Sequence, residues 1–139
     1  MLIEHLILAN SSSTDQENNL LSVFGFIEDF SVVAPAFPLS LPIQIIAVLK
    51  RTDEKEKINS IFFFKITNPD GQEIFTQEFK VAMETQHVRQ RLKFNTHLTI
   101  ASSGRYRVFL IEKNNPSLER MIEIKISVTI IPNINILKT

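Results

Sequence analysis

The chain has 139 residues with 15 basic and 15 acidic side chains, and it contains no cysteine. This length fits one domain that buries roughly two thirds of the surface of its unfolded chain, so stability requires neither a metal nor a disulfide. The zero net charge excludes a global field that would attract nucleic acid or an anionic membrane, and the lack of cysteine excludes disulfides, thiolate nucleophiles and sulfur ligands.

Residues 1 to 9 are mostly apolar, but they lack a basic leader, and Glu4 and His5 interrupt the run. We therefore expect a first strand and not a signal sequence. The other apolar runs, residues 43 to 49 and 61 to 64, are far shorter than the roughly 20 residues that span a bilayer. The sequence predicts a protein of the cytoplasm with no membrane span.

Strand-like runs recur at short intervals along the chain. β-branched residues and 11 phenylalanines dominate them, and such side chains fit a pleated, half-buried surface better than a helix. The runs are residues 2 to 9, 20 to 28, 41 to 51, 57 to 67, 73 to 82, 88 to 95, 104 to 112 and 120 to 130. This spacing predicts an all-β antiparallel sandwich of seven to eight strands. We expect one domain over residues 1 to 131 and a short tail over residues 132 to 139.

Polar segments separate these runs. Asn68-Pro69-Asp70-Gly71 predicts a hairpin turn, because the proline presets φ and the glycine accepts a positive φ. Residues 53 to 57 are all charged and predict a solvated connection between the third and fourth strands. Residues 11 to 19 are wholly polar, and we expect them to be the least ordered internal segment.

Residues 29 to 42 mix apolar side chains with three prolines. Proline cannot donate to a strand ladder, so this segment is predicted to be a crossing connection or an edge with bulges. The favoured interpretation is a plug over one end of the sandwich. The alternative is a partly exposed apolar lip that contacts a partner protein, with Phe30, Phe37 and Leu39 as the candidate interaction surface.

Several strands are apolar on both faces. Ile46 and Val48 lie opposite the main apolar row of residues 43 to 50, and Phe63 and Phe109 occupy similar positions in their strands. A strand that is apolar on both sides is usually covered on both sides, by the protein's own loops or by another subunit. The pattern therefore predicts a homodimer formed through a sheet face or an edge.

Charge is unevenly distributed despite the zero total. Residues 1 to 49 contain acidic residues but no lysine or arginine. Five cations form a candidate anion-binding face: Arg89, Arg91, Lys93, Arg105 and Arg107. They share one surface only if their two strands are neighbours in a sheet.

Binding of a polyanion is one interpretation of these five cations. The favoured one is a solvated face or pairing with the acidic first third, because no aromatic residue on that face offers a stacking platform for bases; this argues against nucleic acid as a partner.

No catalytic constellation can be assembled from the sequence. The three histidines are not at metal-ligand spacing on one element, and the three glycines stand alone, so no phosphate-binding loop is present. No serine lies in a nucleophile elbow. The sequence therefore predicts no catalytic residue, no cofactor and no metal site, and it favours a protein that is not an enzyme.

Gly104, followed after one residue by Tyr106, opens a late alternating strand. This pattern resembles the tyrosine corner of immunoglobulin-like sandwiches, in which the phenol ties a loop to the strand. The cysteine pair and the tryptophan of immunoglobulin domains are absent. The resemblance implies an immunoglobulin-like antiparallel β-sandwich with Gly104 and Tyr106 as a structural corner.

The order of several features along the chain, to about residue 128, carries a broader resemblance. The features are residues 21 to 26, Phe37-Pro38, Asn68 to Gly71, Phe94-Asn95 and Gly104 to Arg107. The chain is similar to a family of short bacterial proteins known only as a domain of unknown function. The resemblance implies a β-sandwich and a cytoplasmic bacterial setting, and no activity or site. Gly25 is then predicted to be a bulge or close-approach glycine inside a strand.

The sequence thus predicts a protein-interaction or structural module. Its partner would be another protein or a second copy, bound through an edge strand or through residues 29 to 42. A domain that binds a small ligand in a pocket at one end of the sandwich, or a polyanion, is the alternative. An enzyme is the least favoured class.

Overall fold

The computed structural model describes residues 1–53, 57–84 and 87–132, and over these residues the protein consists of nine β-strands without an α-helix. The strands are β1 (Leu2–Thr14), β2 (Leu21–Phe26), β3 (Phe30–Ala34), β4 (Leu39–Lys50), β5 (Ile58–Thr67), β6 (Glu73–Met83), β7 (Arg89–Ile100), β8 (Gly104–Glu112) and β9 (Glu119–Ile130). In this part of the chain no helix is long and apolar enough to cross a membrane.

The strands form two sheets whose apolar faces pack together. The four-stranded sheet has the order β2-β1-β4-β7, and the five-stranded sheet has the order β3-β9-β8-β5-β6. Neighbouring strands are antiparallel except β3 and β9, which are parallel. The predicted all-β sandwich is confirmed, with nine strands in place of seven to eight.

The core between the sheets follows the alternating pattern of the strands. In β8, for example, Tyr106, Val108 and Leu110 are buried while the residues between them face outward or are half-buried. Aromatic rings connect the two sheets: the ring centroid of Phe64 in β5 lies 5.0 Å from that of Phe79 and 5.8 Å from that of Phe94 on the opposite sheet. A period of two therefore predicts which side chains form this core.

The strand that the sequence did not predict is β3. It lies at the edge of the five-stranded sheet and pairs with β9 along its full length. The expectation of an edge in residues 29 to 42 holds for β3, but it is wrong for residues 39 to 42, which begin β4 between β1 and β7. The segment nevertheless adds a ninth strand, since residues 30 to 34 are free of proline and alternate inward and outward.

The polar residues 11 to 19 form regular structure, so the expectation of a poorly ordered loop is wrong. β1 continues to Thr14 and pairs with β2. The carboxylate of Asp15 closes the turn, because its Oδ1 accepts hydrogen bonds from the backbone N–H groups of Glu17 at 2.8 Å and Asn18 at 3.1 Å. Short polar side chains in a turn supply such local hydrogen bonds, which composition alone does not reveal.

The hairpin of β1 and β2 lies across the outer face of β4 and β7. Ser12 Oγ donates a hydrogen bond to the side-chain oxygen of Gln44, and Lys93 Nζ donates to Thr14 Oγ1 at 2.8 Å. Ile46, two residues after Gln44, is only 1% exposed. The protein's own hairpin therefore lies over the side of β4 on which Ile46 is buried, whereas Val48 on that side is half-buried.

Tyr106 ties the start of β8 to the loop before it. The side chain is 1% exposed, and its hydroxyl donates a hydrogen bond to the backbone oxygen of Ser102 at 2.7 Å. Gly104 has a φ of +143°, and a Cβ at this position would lie 2.7 Å from Cβ and Cγ of Pro69. The start of β8 thus packs against the β5–β6 hairpin turn. That turn is formed as predicted, with Gly71 at a φ of +80°.

We expect Tyr106→Phe to lower the free energy of unfolding by about 1 kcal/mol or more, because the ring stays in the core while the Ser102 oxygen loses its donor. Chemical denaturation measures the change. Tyr106→Leu, which also removes the ring, should cost more. An unchanged melting temperature for Tyr106→Phe would mean that Tyr106 acts only as a core aromatic residue.

Candidate functional site

A cleft of about 620 Å³ opens on the side of the sandwich where β3 and β4 approach each other. The connection between β2 and β3 forms one wall, and Leu98 of β7 contributes to the lining. The lining residues from β3 and β4 are Phe30, Ser31, Val32, Leu41, Pro42 and Ile43. This volume lies within the range of ligand sites in proteins.

Over the described residues, β3 and the first part of β4 each lack a neighbouring strand on one side. β3 pairs with β9 alone. β4 pairs with β7 along its whole length. Its pairing with β1 ends where Ala9 of β1 lies opposite Gln44, and the following residues of β1 pair with β2. Pro42 lies in this singly paired part of β4, where a residue without an N–H is tolerated. An unpaired edge presents backbone N–H and C=O groups that can pair with another strand.

An exposed aromatic side chain stands at the cleft. Phe26, the last residue of β2, lines the cleft and is 55% exposed. Gly25 precedes it with a φ of +63°, and a Cβ there would lie 2.8 Å from Cγ of Asn10. The predicted close approach at Gly25 is therefore confirmed. It brings β2 against β1 at Asn10, next to the point where β1 leaves β4.

The charged side chains in the described lining are the carboxylates of Glu28 and Asp29. Asp29 Oδ1 accepts a hydrogen bond from the backbone N–H of Lys125 at 2.7 Å, which fastens the connection to β9. Glu28 is exposed and makes no hydrogen bond or ion pair with the described residues. A second cleft of about 320 Å³ lies on the other side of this connection and is also lined by Glu28 and Asp29.

The structure separates the three predicted interaction residues. Phe30 lines the cleft and packs, half-buried, against the core. Leu39 also packs against the core but does not line the cleft, whereas Phe37 is 40% exposed outside it. Sequence reasoning missed Phe26 and Glu28. The available signal was the pair of phenylalanines, Phe24 and Phe26, on either side of Gly25.

The five predicted anion-binding cations do not share a surface. Arg89, Arg91 and Lys93 lie on β7 in the four-stranded sheet, whereas Arg105 and Arg107 lie on β8 in the five-stranded sheet. The hypothesis of one basic face is therefore wrong, because the chain changes sheets between these two strands.

These cations have partners within the protein. Arg89 Nε donates to Glu4 Oε1 at 2.9 Å, and this hydrogen bond holds the pKa of Glu4 below its ordinary value and raises the pKa of Arg89. Arg105 and Arg107 both pair with Glu123, at 3.3 and 3.4 Å. Pairing between Arg89 and the acidic first third matches the favoured sequence interpretation.

The described residues contain no group of three or more histidine, aspartate or glutamate side chains that could hold a metal ion. His97 Nδ1 lies 3.5 Å from Ser40 Oγ, and the exposed His5 lies beside Glu4. Neither histidine stands beside a nucleophile and an orienting carboxylate in the arrangement that acyl transfer requires.

A second apolar surface lies on the outer face of the five-stranded sheet. Phe63 pairs with Ile111, and Phe109 pairs with Met121, across neighbouring strands. Lys65 Nζ lies 4.9 Å from the centroid of the Phe109 ring, and Met121 is 43% exposed.

Comparison with known proteins assigns the family. No curated protein matches the chain. Among solved structures it is similar to a β-glucosidase from Listeria innocua. The isofagomine complex has 10% identity, a TM-score of 0.46, and coverage of 93% of this chain and 17% of that one. Another crystal structure of that enzyme has 10% identity, a TM-score of 0.46, and coverage of 86% and 19%. The chain thus spans less than a fifth of those proteins.

The model of a family of unknown function, DUF6941, matches residues 4–125. The chain therefore belongs to the DUF6941 family.

Proposed function

We propose that the protein is a non-enzymatic interaction module that binds an extended segment of a partner protein along the free edge of β3. The observation that carries this proposal is the cleft of about 620 Å³ between the singly paired edges of β3 and β4. A segment that adds to β3 would extend the five-stranded sheet. Its backbone would supply hydrogen bonds, and every second side chain would enter the cleft.

Exposed apolar side chains beside the cleft support the proposal. Phe26 is 55% exposed and Val33 is 49% exposed, although both are large and apolar. Leu41 and Leu98 contribute apolar surface to the lining. An aromatic residue beside a concave apolar surface is typical of an interaction site, because its burial on binding removes a large apolar area from water.

Selection from a phage-displayed library of linear peptides tests the proposal. We expect the enriched peptides to carry apolar residues at every second position. Their binding should weaken on the order of tenfold in Phe26→Ser, since the exposed aromatic wall is lost. Phe24→Ser is the matched control, because Phe24 lies in the same strand, is 53% exposed and does not line the cleft. Equal losses in both variants, or a library without binders, would contradict the proposal.

Binding of a small apolar ligand in the same cleft is a second candidate function, favoured by the volume and by the mixture of apolar lining with a few polar groups. The two functions differ at the strand edge. A partner strand would protect backbone N–H groups of β3 from hydrogen exchange, whereas a small apolar ligand would leave them exchanging.

Self-association is a further part of the proposal. The apolar outer surface around Phe63, Phe109 and Met121 supports it, since burial against a second copy would remove this surface from water. Light scattering that gives a strict monomer at high micromolar concentration would contradict it. The cytoplasmic and bacterial setting stays a prediction from the sequence.

A further inference from the structure

The described residues that line the β3 cleft carry only negative formal charge. All but Leu98 come from residues 10 to 43, and residues 1 to 49 contain no lysine or arginine. A segment that approaches the cleft therefore meets carboxylates that no lining cation offsets. Such a potential attracts cationic partners and disfavours anionic ones.

Glu28 differs from the acidic residues that form ion pairs with other residues of the chain. Glu4 pairs with Arg89, Glu78 pairs with Lys113 at 3.0 Å, and Glu123 pairs with two arginines. Glu28 has no such partner among the described residues. An exposed carboxylate at the rim of an apolar cleft can therefore bind a cation of the partner at little cost in displaced internal contacts.

The position of these acids fixes where the cation should lie. Glu28 and Asp29 directly precede Phe30, the first residue of β3, so they lie at one end of the free edge. A segment paired along β3 would place its middle residues beside Ser31 and Val32 and one of its ends beside the carboxylates. Side chains within the paired stretch would alternate between the apolar cleft and solvent.

We infer that the partner segment is an extended strand with apolar residues at alternate positions and lysine or arginine at one end. This inference rests on the proposed strand-addition site and adds the charge of its partner. The first third of the chain is acidic and forms most of the cleft. It would therefore determine which extended partner segments bind.

Two synthetic peptides test the inference. They share a core of alternating valine and threonine, and they carry flanking lysines in one peptide and flanking glutamates in the other. By fluorescence polarisation we expect the lysine peptide to bind on the order of tenfold more tightly at low salt, and the ratio should fall as salt is added. Glu28→Gln should reduce the ratio several-fold, whereas Glu17→Gln, an exposed acid outside the cleft, should leave it unchanged.

The outcomes separate the inference from the proposed function. If both peptides bind equally and Phe26→Ser weakens both, strand addition stands and the inference about charge is overturned. If Glu17→Gln reduces the preference as much as Glu28→Gln, the preference reflects overall charge and the assignment to Glu28 is overturned. If neither peptide binds and the library gives no binder, the proposed function itself fails.

Discussion

Gly104→Ala is expected to lower the free energy of unfolding by about 3 kcal/mol. The φ of +143° lies in a region that residues with a Cβ rarely adopt, and the new Cβ would lie 2.7 Å from two atoms of the Pro69 ring. That ring cannot rotate away as a flexible side chain would, so the hairpin turn or the start of β8 must move. Chemical denaturation measures the loss.

Gly71→Ala is the matched control for this prediction. Gly71 also has a positive φ, +80°, but a Cβ there would meet no atom within 4 Å. Its substitution should cost only the backbone strain, on the order of 1 kcal/mol. Similar losses for the two variants would mean that the contact between Gly104 and Pro69 contributes nothing.

Phe64→Ala is expected to lower the free energy of unfolding by about 3 to 5 kcal/mol. Phe64 is 1% exposed and contacts Phe79 in its own sheet and Phe94 in the opposite sheet. Its removal would leave a cavity between the sheets and end both ring contacts. Phe24→Ala, at a side chain that is 53% exposed, should stay within about 1 kcal/mol of the parent protein. A small loss at Phe64 would contradict the assignment of this residue to the core.

The alternation of side chains was sufficient to predict most of the strands. Tyr106, Val108 and Leu110 are buried as their period of two requires, and Gly71 takes the positive φ that its turn requires. These features depend on neighbours within a few residues, which the sequence displays directly. The position of β3 was harder to predict, because nearby prolines mask a short alternating run.

The arrangement of strands in the sheets depends on contacts between distant residues. The basic residues of β7 and β8 lie close in sequence, yet they belong to different sheets. Arg51 gives a similar example. It precedes a charged connection, yet it is 4% exposed, and its guanidinium donates to the backbone oxygens of Met83, Glu84 and His87. No local pattern identifies a partner more than thirty residues away.

The cleft could not be predicted for the same reason. It exists because β1 stops pairing with β4 after Ala9 and continues beside β2, which leaves the start of β4 free on that side. In addition, β3 pairs with β9, which lies near the other end of the chain. The sequence located one contributor, Phe30, and the possibility of binding through an edge strand. The exposed wall at Phe26 and the acidic rim at Glu28 emerge only when these strands are assembled.

Backbone hydrogen exchange of β3 tests the central claim most directly. The intact protein is compared alone and with a saturating amount of a library-selected peptide. We predict that N–H groups within Phe30–Ala34 exchange more slowly in the complex, since a partner strand supplies the acceptors that the free edge lacks. Unchanged exchange in β3, with the peptide bound and protection confined to another part of the protein, would contradict strand addition at this edge.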